Sequence, residues 1–274
     1  MGEGVRRKPK RDQSLLRPPR PSSSPARRVN VAGITVDDLT EAETVARIDE
    51  LLADGEPHYM SVVNAAKVVA ASRDEKLRRV LAEADLVTAD GMSVVWASRL
   101  LGRPLRERVT GIDLFERLVE HAARRGLRVY FLGARDEAVR GVVERFSRKH
   151  PDLQVAGWRN GYFSAEESRK VAEEVRRGAA DLLFVAMGSP AQEHWIASNI
   201  ARAGARFALG VGGSFDHLSG QSRRAPRWMQ RAGIEWLYRL MREPRRLWRR
   251  YLIGNTLFIW LVAKQAWGNK WRKR

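Results

Sequence analysis

The chain has 274 residues, with 50 Lys and Arg against 32 Asp and Glu, a formal net charge of +18 and no cysteine. This length accommodates one large domain or two small ones with a real core, and 44% hydrophobic residues argue against wholesale disorder. Without cysteine there is no disulfide framework, no thiolate metal site and no cysteine nucleophile.

The charge is unevenly distributed. Residues 1–28 carry nine basic and two acidic side chains, residues 223–274 fifteen and two, and residues 29–222 twenty-six and twenty-eight. A nearly neutral body therefore bears cationic ends of +7 and +13. Such ends imply an anionic partner, either nucleic acid or a membrane surface.

Residues 1–28 are rich in Arg, Pro and Ser and include Pro18-Pro19-Arg20-Pro21 and Ser22-Ser23-Ser24-Pro25. Nothing there can pack, so the segment reads as a disordered basic arm, with a merely solvated tail as the alternative. It lacks the apolar run of a secretory signal, and its prolines interrupt a transit-peptide helix. From Val29 the pattern alternates. It predicts strands over Val29–Val36, Tyr59–Val63, Leu86–Ala89, Arg128–Leu132, Leu153–Gly157, Leu182–Ala186 and Arg206–Val211. Helices are predicted over Thr40–Ala53, Asn64–Ala70, Glu75–Glu83, Met92–Leu101, Ile112–Arg125, Asp136–Lys149, Ala165–Arg177 and Ala191–Arg202. This alternation implies an α/β fold, a mainly parallel, Rossmann-like sheet sandwiched by helices.

In such sheets ligands bind beyond the carboxyl ends of the strands. Those loops hold Asn64, Asp90-Gly91, Gly133, Gly188-Ser189-Pro190-Ala191-Gln192 and Gly210-Val211-Gly212-Gly213. Glycines there let backbone N–H groups approach phosphates, and a following helix N-terminus favours an anion. Each glycine taken singly also fits a simple turn requirement. Neither GxGxxG nor Walker A is present, so nucleotide binding would use another loop set, with Gly133, Gly188, Gly212 and Gly213 as candidates.

Asp90 sits at a sharp strand-to-helix turn. It reads either as a helix N-cap or as a general base placed to take a proton from a substrate hydroxyl. Asp113 and Asp216 are further carboxylates in loop-like settings. No Asp-x-Asp pair occurs, the five histidines form no metal spacing, and no Gly-x-Ser-x-Gly elbow is present. No metal and no cofactor is expected.

Six of the nine tryptophans follow residue 222: Trp228, Trp236, Trp248, Trp260, Trp267 and Trp271. On a helical wheel Arg239, Arg242, Arg246, Arg249 and Arg250 share one arc and the apolar residues take the other, with Pro244 dividing the stretch into two helices. The apolar run Leu252–Ala263 is far short of the ~20 residues that span a bilayer. Trp beside Arg suits a helix lying on a membrane. Packing of the apolar stripe on the core, or aromatic-basic binding of single-stranded nucleic acid, are the competing readings. The organisation is thus an arm (1–28), an α/β domain (29–222) and an Arg/Trp-rich helical, membrane-associating appendage (223–274).

Asn64-Ala-Ala-Lys67, Thr88-Ala-Asp90-Gly91-Met92 and Arg108-Val-Thr-Gly111-Ile-Asp113-Leu114 resemble the WecG/TagA/CpsF glycosyltransferases. So do Phe131-Leu-Gly133, Gly188-Ser-Pro-Ala-Gln192-Glu193 and Gly210-Val-Gly-Gly213-Ser-Phe215-Asp216, followed by Arg224-Ala-Pro226, Ile234-Glu235-Trp236-Leu-Tyr-Arg239, Glu243-Pro244 and Arg249-Arg250-Tyr251. The ordered match covers about residues 29–255. The resemblance implies inverting, metal-independent transfer from a UDP-sugar to a polyprenyl-diphosphate-linked saccharide. The setting it implies is peripheral, at the cytoplasmic face of a bacterial membrane, in synthesis of exopolysaccharide, teichoic-acid-type or enterobacterial-common-antigen-type polymers. It makes Asp90 the base, puts Asn64, Arg108 and Gln192 around the sugar, and assigns Arg239, Arg246 and Arg249 to neutralise diphosphate in place of a metal. One position departs: the family commonly has Thr where this chain has Val62. A nucleic-acid-binding α/β protein is the other functional class, and the sugars and oligomeric state stay open.

Overall fold

The computed structural model describes residues 27–222 and 224–271; the basic arm read over 1–28 lies outside them except for its last two residues. The chain opens with an antiparallel hairpin of β1 (Arg28–Val31) and β2 (Ile34–Asp37). The single strand expected over Val29–Val36 is therefore two. Ala32 and Gly33 at the turn have φ of +50° and +87°, the doubly left-handed geometry that matches strand twist in a two-residue hairpin. Val29, Val31, Ile34 and Val36 are all buried, so the two-residue period slips by one across the turn.

There follow α1 (Glu41–Ala53), β3 (His58–Val63), α2 (Ala65–Arg73), α3 (Glu75–Glu83), β4 (Leu86–Ala89), α4 (Met92–Leu100) and α5 (Gly111–Arg125). Next come β5 (Arg128–Gly133), α6 (Asp136–Lys149), β6 (Gln154–Arg159), α7 (Ser168–Gly178), β7 (Leu182–Ala186), α8 (Ala191–Ala203), β8 (Phe207–Gly210) and α9 (Ser214–Leu218). Polar caps set several helix starts: Thr40 forms a capping box with Glu43, and Asn64, Asp74 and Thr110 each accept an N–H from the first turn.

Strands β3–β8 form one six-stranded sheet in the order β4-β3-β8-β7-β5-β6, every neighbouring pair parallel. The carboxyl ends consequently share one edge, and Asp90, Asn64, Val211, Met187 and Ala134 follow one another across it. The inner strands are mostly apolar, as both faces are covered: all five residues of β7 are buried. On one face α1, α5, α6 and α9 close over Phe115, Phe131, Phe146, Phe184 and Phe215, with neighbouring ring centroids as close as 4.5 Å. On the other, α7 and α8 cover Leu132, Leu183 and Val185. The hairpin, α2, α3 and α4 enclose a third apolar set near β4.

The appendage runs through α10 (Arg227–Arg231), α11 (Glu235–Arg242), α12 (Pro244–Trp248), a π-helical stretch (Arg249–Ile253) and α13 (Gly254–Trp271). Pro244 stands at the first position of α12, where its missing N–H costs nothing. Phe258 and Val262 of α13 are buried in the third apolar set. Gln265 ties the same helix to the hairpin, accepting from Ala32 N (2.6 Å) and donating to Asn30 O (3.0 Å). Part of the apolar run Leu252–Ala263 therefore packs on the core, whereas on the apolar side of the arginine-bearing stretch before it Leu247 is buried and no residue of α11 is. No helix among the described residues is long and apolar enough to cross a membrane.

Candidate active site

The ends of β3 and β4 meet at the edge of the sheet. Asn64 follows β3, caps α2 by accepting Lys67 N–H at 3.1 Å, and faces the turn that leaves β4. That turn needs Gly91, since a Cβ there would lie 3.1 Å from Asn64 Cβ. Asp90 precedes it but does not cap α4, whose N-cap is Gly91. Its Oδ1 instead accepts the Gly111 N–H at 2.9 Å, at the start of α5. The contact fixes the carboxylate, and among the described residues Oδ2 has no hydrogen-bond donor. Val62, the departing position, is buried beneath the same spot, 3.2 Å from where a Gly111 Cβ would stand.

A cavity of about 470 Å³ opens over this corner. Asn64, Asp90 and Arg108 line it from the sheet edge, and Arg239, Glu235, Trp236 and Tyr251 line it from the appendage. Burial disfavours charge on Arg239, but Glu235, Tyr251 and Asp90 outweigh it and hold the guanidinium above its ordinary value. Asp90 and Arg239 thus face one another electrostatically across the cavity.

Asp113 has a different setting from Asp90. Arg224 grips it at both oxygens (2.5 and 3.0 Å), and Thr110 donates to it at 2.5 Å. Burial pushes this carboxyl up, but Arg224 and Thr110 prevail and hold it below the usual range. The bidentate pair clasps the first residues of the appendage to α5. Asp216 is exposed on α9 and outside the cavity lining. Gly233 (φ +72°) lets the α10–α11 turn lie on α4, for a Cβ there would come within 2.8 Å of Met92.

Other candidates stand apart from this cavity. Gln192 is buried, donating to Glu193 at 2.9 Å and accepting the Gly212 N–H at 2.9 Å, so it holds the loop after β8 from below. That N–H is accordingly committed. Gly133 is required by packing, since a Cβ would meet the Ala186 backbone at 2.5 Å, whereas Gly188, Gly212 and Gly213 have nothing within 4 Å of an added Cβ. These open loops follow β7 and β8, beside Asn64 in strand order. Beneath them Lys67 and Glu193, both buried, pair at 2.8 Å between α2 and α8. Arg249 lies over the Trp248 ring, 5.2 Å from its centroid. The Arg246 side chain lies outside the described residues.

Sequence reasoning missed Glu235, Trp236 and Tyr251 as lining residues and Arg224 as the partner of Asp113, although all stand within the resembling segments. Among the described residues no three His, Asp or Glu side chains cluster as metal ligands.

The site is thus a cavity at the edge of a parallel α/β sheet, with a fixed carboxylate on one side and an arginine carried by a helical appendage on the other. The model of the family described as "Glycosyl transferase WecG/TagA/CpsF family" matches residues 29–272, and the chain belongs to that family. It is a glycosyltransferase, the enzyme reading of the two the sequence left open. The chain is 36% identical over 205 residues (72% of this chain, 79% of the relative) to the N-acetylglucosaminyldiphosphoundecaprenol N-acetyl-beta-D-mannosaminyltransferase of Bacillus subtilis strain 168. It is 34% identical over 223 residues to the protein of that name from Bacillus spizizenii (78% and 84% covered). A Staphylococcus aureus protein of the same name is 28% identical over 239 residues, covering 86% and 92%.

Proposed function

We propose that the protein transfers N-acetylmannosamine from its UDP derivative to N-acetylglucosamine carried on a polyprenyl diphosphate. The relatives' names support this choice of acceptor and sugar. The observation that carries the mechanism is Asp90 anchored by the Gly111 N–H and opposed by Arg239. The acceptor hydroxyl gives its proton to Asp90 as its oxygen attacks the anomeric carbon. The bond from that carbon to the UDP phosphate oxygen breaks, and UDP leaves on the opposite face. One base and in-line attack suffice for inversion. The open backbone at Gly188 and Gly213 receives the nucleotide, in the reading supported by the strand order, with Gly212 held in place by Gln192. Gly133 and Gln192 shape these loops from behind. Asn64 and Arg108 meet the sugars. Arg239, with Arg246 and Arg249, neutralises diphosphate charge without a metal, a role that suits the guanidinium fork.

The same reading has the enzyme working on the cytoplasmic surface of a membrane. Phe258, Val262 and Gln265 turn one side of α13 to the body. Trp260, Lys264, Trp267 and Trp271 fall on the opposite side of the wheel, and these three tryptophans are 56–70% exposed. An exposed aromatic row with lysines supports interfacial binding to anionic lipid.

The test is a panel of UDP-sugars, with N-acetylglucosaminyl diphosphoundecaprenol as acceptor and product mass as readout. A product heavier by one N-acetylhexosamine from UDP-N-acetylmannosamine, undiminished in EDTA, is expected. Transfer of a different sugar in preference would overturn the assignment, and activity lost in EDTA and restored by Mg²⁺ would overturn the metal-free mechanism.

A further inference from the structure

The cavity over Asp90 has a second, apolar end that neither sugar nor nucleotide explains. From the polar corner it continues between α4 and α13, where Trp96, Leu100, Phe258, Ile259 and Val262 line it. Ala97 and Ala263 also line this part, and their small side chains take up little of its width. Leu100 and Ile259 are 69% and 66% exposed, although they lie side by side with a buried apolar set. Large apolar side chains left uncovered around a concave surface mark a binding site.

We propose that this slot holds the diphosphate-proximal part of the acceptor's isoprenoid chain; the proposal rests on the transfer reading above. Charge and polarity run in the required order. Arg239, Arg108 and Asp90 occupy one end, where a diphosphate and the reacting sugar need cations and a base. The apolar walls begin at Met92, the first residue of α4, and Trp96, one turn further on. The slot then follows α4, whose nine residues extend about 12 Å. A UDP-sugar has no apolar segment to fill such a length, whereas a polyprenyl chain is apolar throughout. On the α13 wheel Ile259 and Ala263 lie between the buried side and the outward tryptophans. The chain would therefore pass along the flank of the helix whose outer side meets the membrane.

Two experiments on the full-length protein decide this. The first compares N-acetylglucosaminyl diphosphate acceptors bearing an undecaprenyl chain or a single isoprene unit, in wild type and in Ala263→Trp, which fills the slot. The ratio of kcat/KM for long over short acceptor should fall at least tenfold, with donor KM within twofold of wild type. An unchanged ratio overturns the slot. The second needs no turnover and no variant. A polyprenyl diphosphate with a diazirine in its second isoprene unit is photolysed with the wild-type protein on vesicles. Labelling, assigned to single residues by fragment ions, should fall on Trp96, Leu100 or Ile259. Labelling confined to Trp260 and Trp267 would mean that the chain stays in the bilayer, and would overturn the proposal. Failure of the transfer reading would look different: no product from wild type with either acceptor, whatever the crosslinks.

Discussion

Replacing Lys67 with methionine keeps the aliphatic stem and removes the ammonium that neutralises Glu193. Both side chains are almost wholly enclosed, at 6% and 4% exposure, and their contact is 2.8 Å. Lys67 also donates to Ser61 Oγ at 3.2 Å, and Gln192 donates to the same Glu193 oxygen at 2.9 Å. Burial pushes the Glu193 carboxyl up, and Lys67 is the chief group that brings it below its ordinary range. After the substitution only the Gln192 amide and the Ser189 hydroxyl remain as donors to an enclosed carboxylate, and neither carries charge. Removing one member of such a pair costs about 3–5 kcal/mol, a large share of the 5–15 kcal/mol typical of a folded domain. For a chain of this size that is a fall in Tm of roughly 6–20 °C. Adding Glu193→Gln removes the stranded charge and should restore about 2 kcal/mol or more, a coupling typical of contacting groups. Urea denaturation of the wild type, both single variants and the double variant measures all four corners. A Lys67→Met cost below about 1 kcal/mol, or additive singles, would refute the account of this pair.

Asp113→Asn should loosen the clasp that joins the appendage to α5. kcat/KM should fall about tenfold or more, the scale of a small misplacement at a reacting centre, and Arg224→Lys should not substitute for the lost fork in steady-state assays. His58 lies between Asp54 (2.8 Å) and Asp85 (2.9 Å) at the other end of the sheet. Burial works against its charge, but the two carboxylates prevail and raise its pKa above 6.5. Its stabilisation is therefore full below about pH 6.5 and lost as pH rises through the folded-state value; Tm should decline over that window, and His58→Gln should flatten the decline. Trp260→Ser with Trp267→Ser should weaken flotation with anionic vesicles without lowering Tm, because both side chains are already in solvent. A Tm drop of several degrees would mean that they pack.

Alternation of strand and helix patterns was enough to foresee the parallel sheet, and the strand-end rule then led to Asn64 and Asp90 without any coordinates. Arg239 was legible only through the order of motifs, because nothing local says that α11 folds back over β4. The hairpin was hidden by its turn: Ala32 is not a residue expected at positive φ, and only the slipped spacing of Val31 and Ile34 betrays it. Gly133 and Gly212 look alike as strand-end glycines, yet one is demanded by the Ala186 backbone and the other is open. Such distinctions depend on neighbours distant in sequence. The resemblance puts Gln192 around the sugar, and only the structure reveals its buried contacts with Gly212 and Glu193. The arginine wheel fails past Pro244, where the helix restarts and then widens into a π-helical stretch that turns Arg249 onto Trp248. The three-sided character of α13 was likewise unreadable until α2, α4 and the hairpin were in position around it.

The account depends most on Asp90 acting as the base. Asp90→Asn preserves the Gly111 contact, since the amide oxygen still accepts its N–H. Turnover of UDP-N-acetylmannosamine with the lipid-linked acceptor should drop ~100-fold or more, the usual scale for a general base, while calorimetric Kd for the donor stays within about twofold, because binding and chemistry separate at this residue. Turnover close to wild type with the donor still bound would contradict the mechanism.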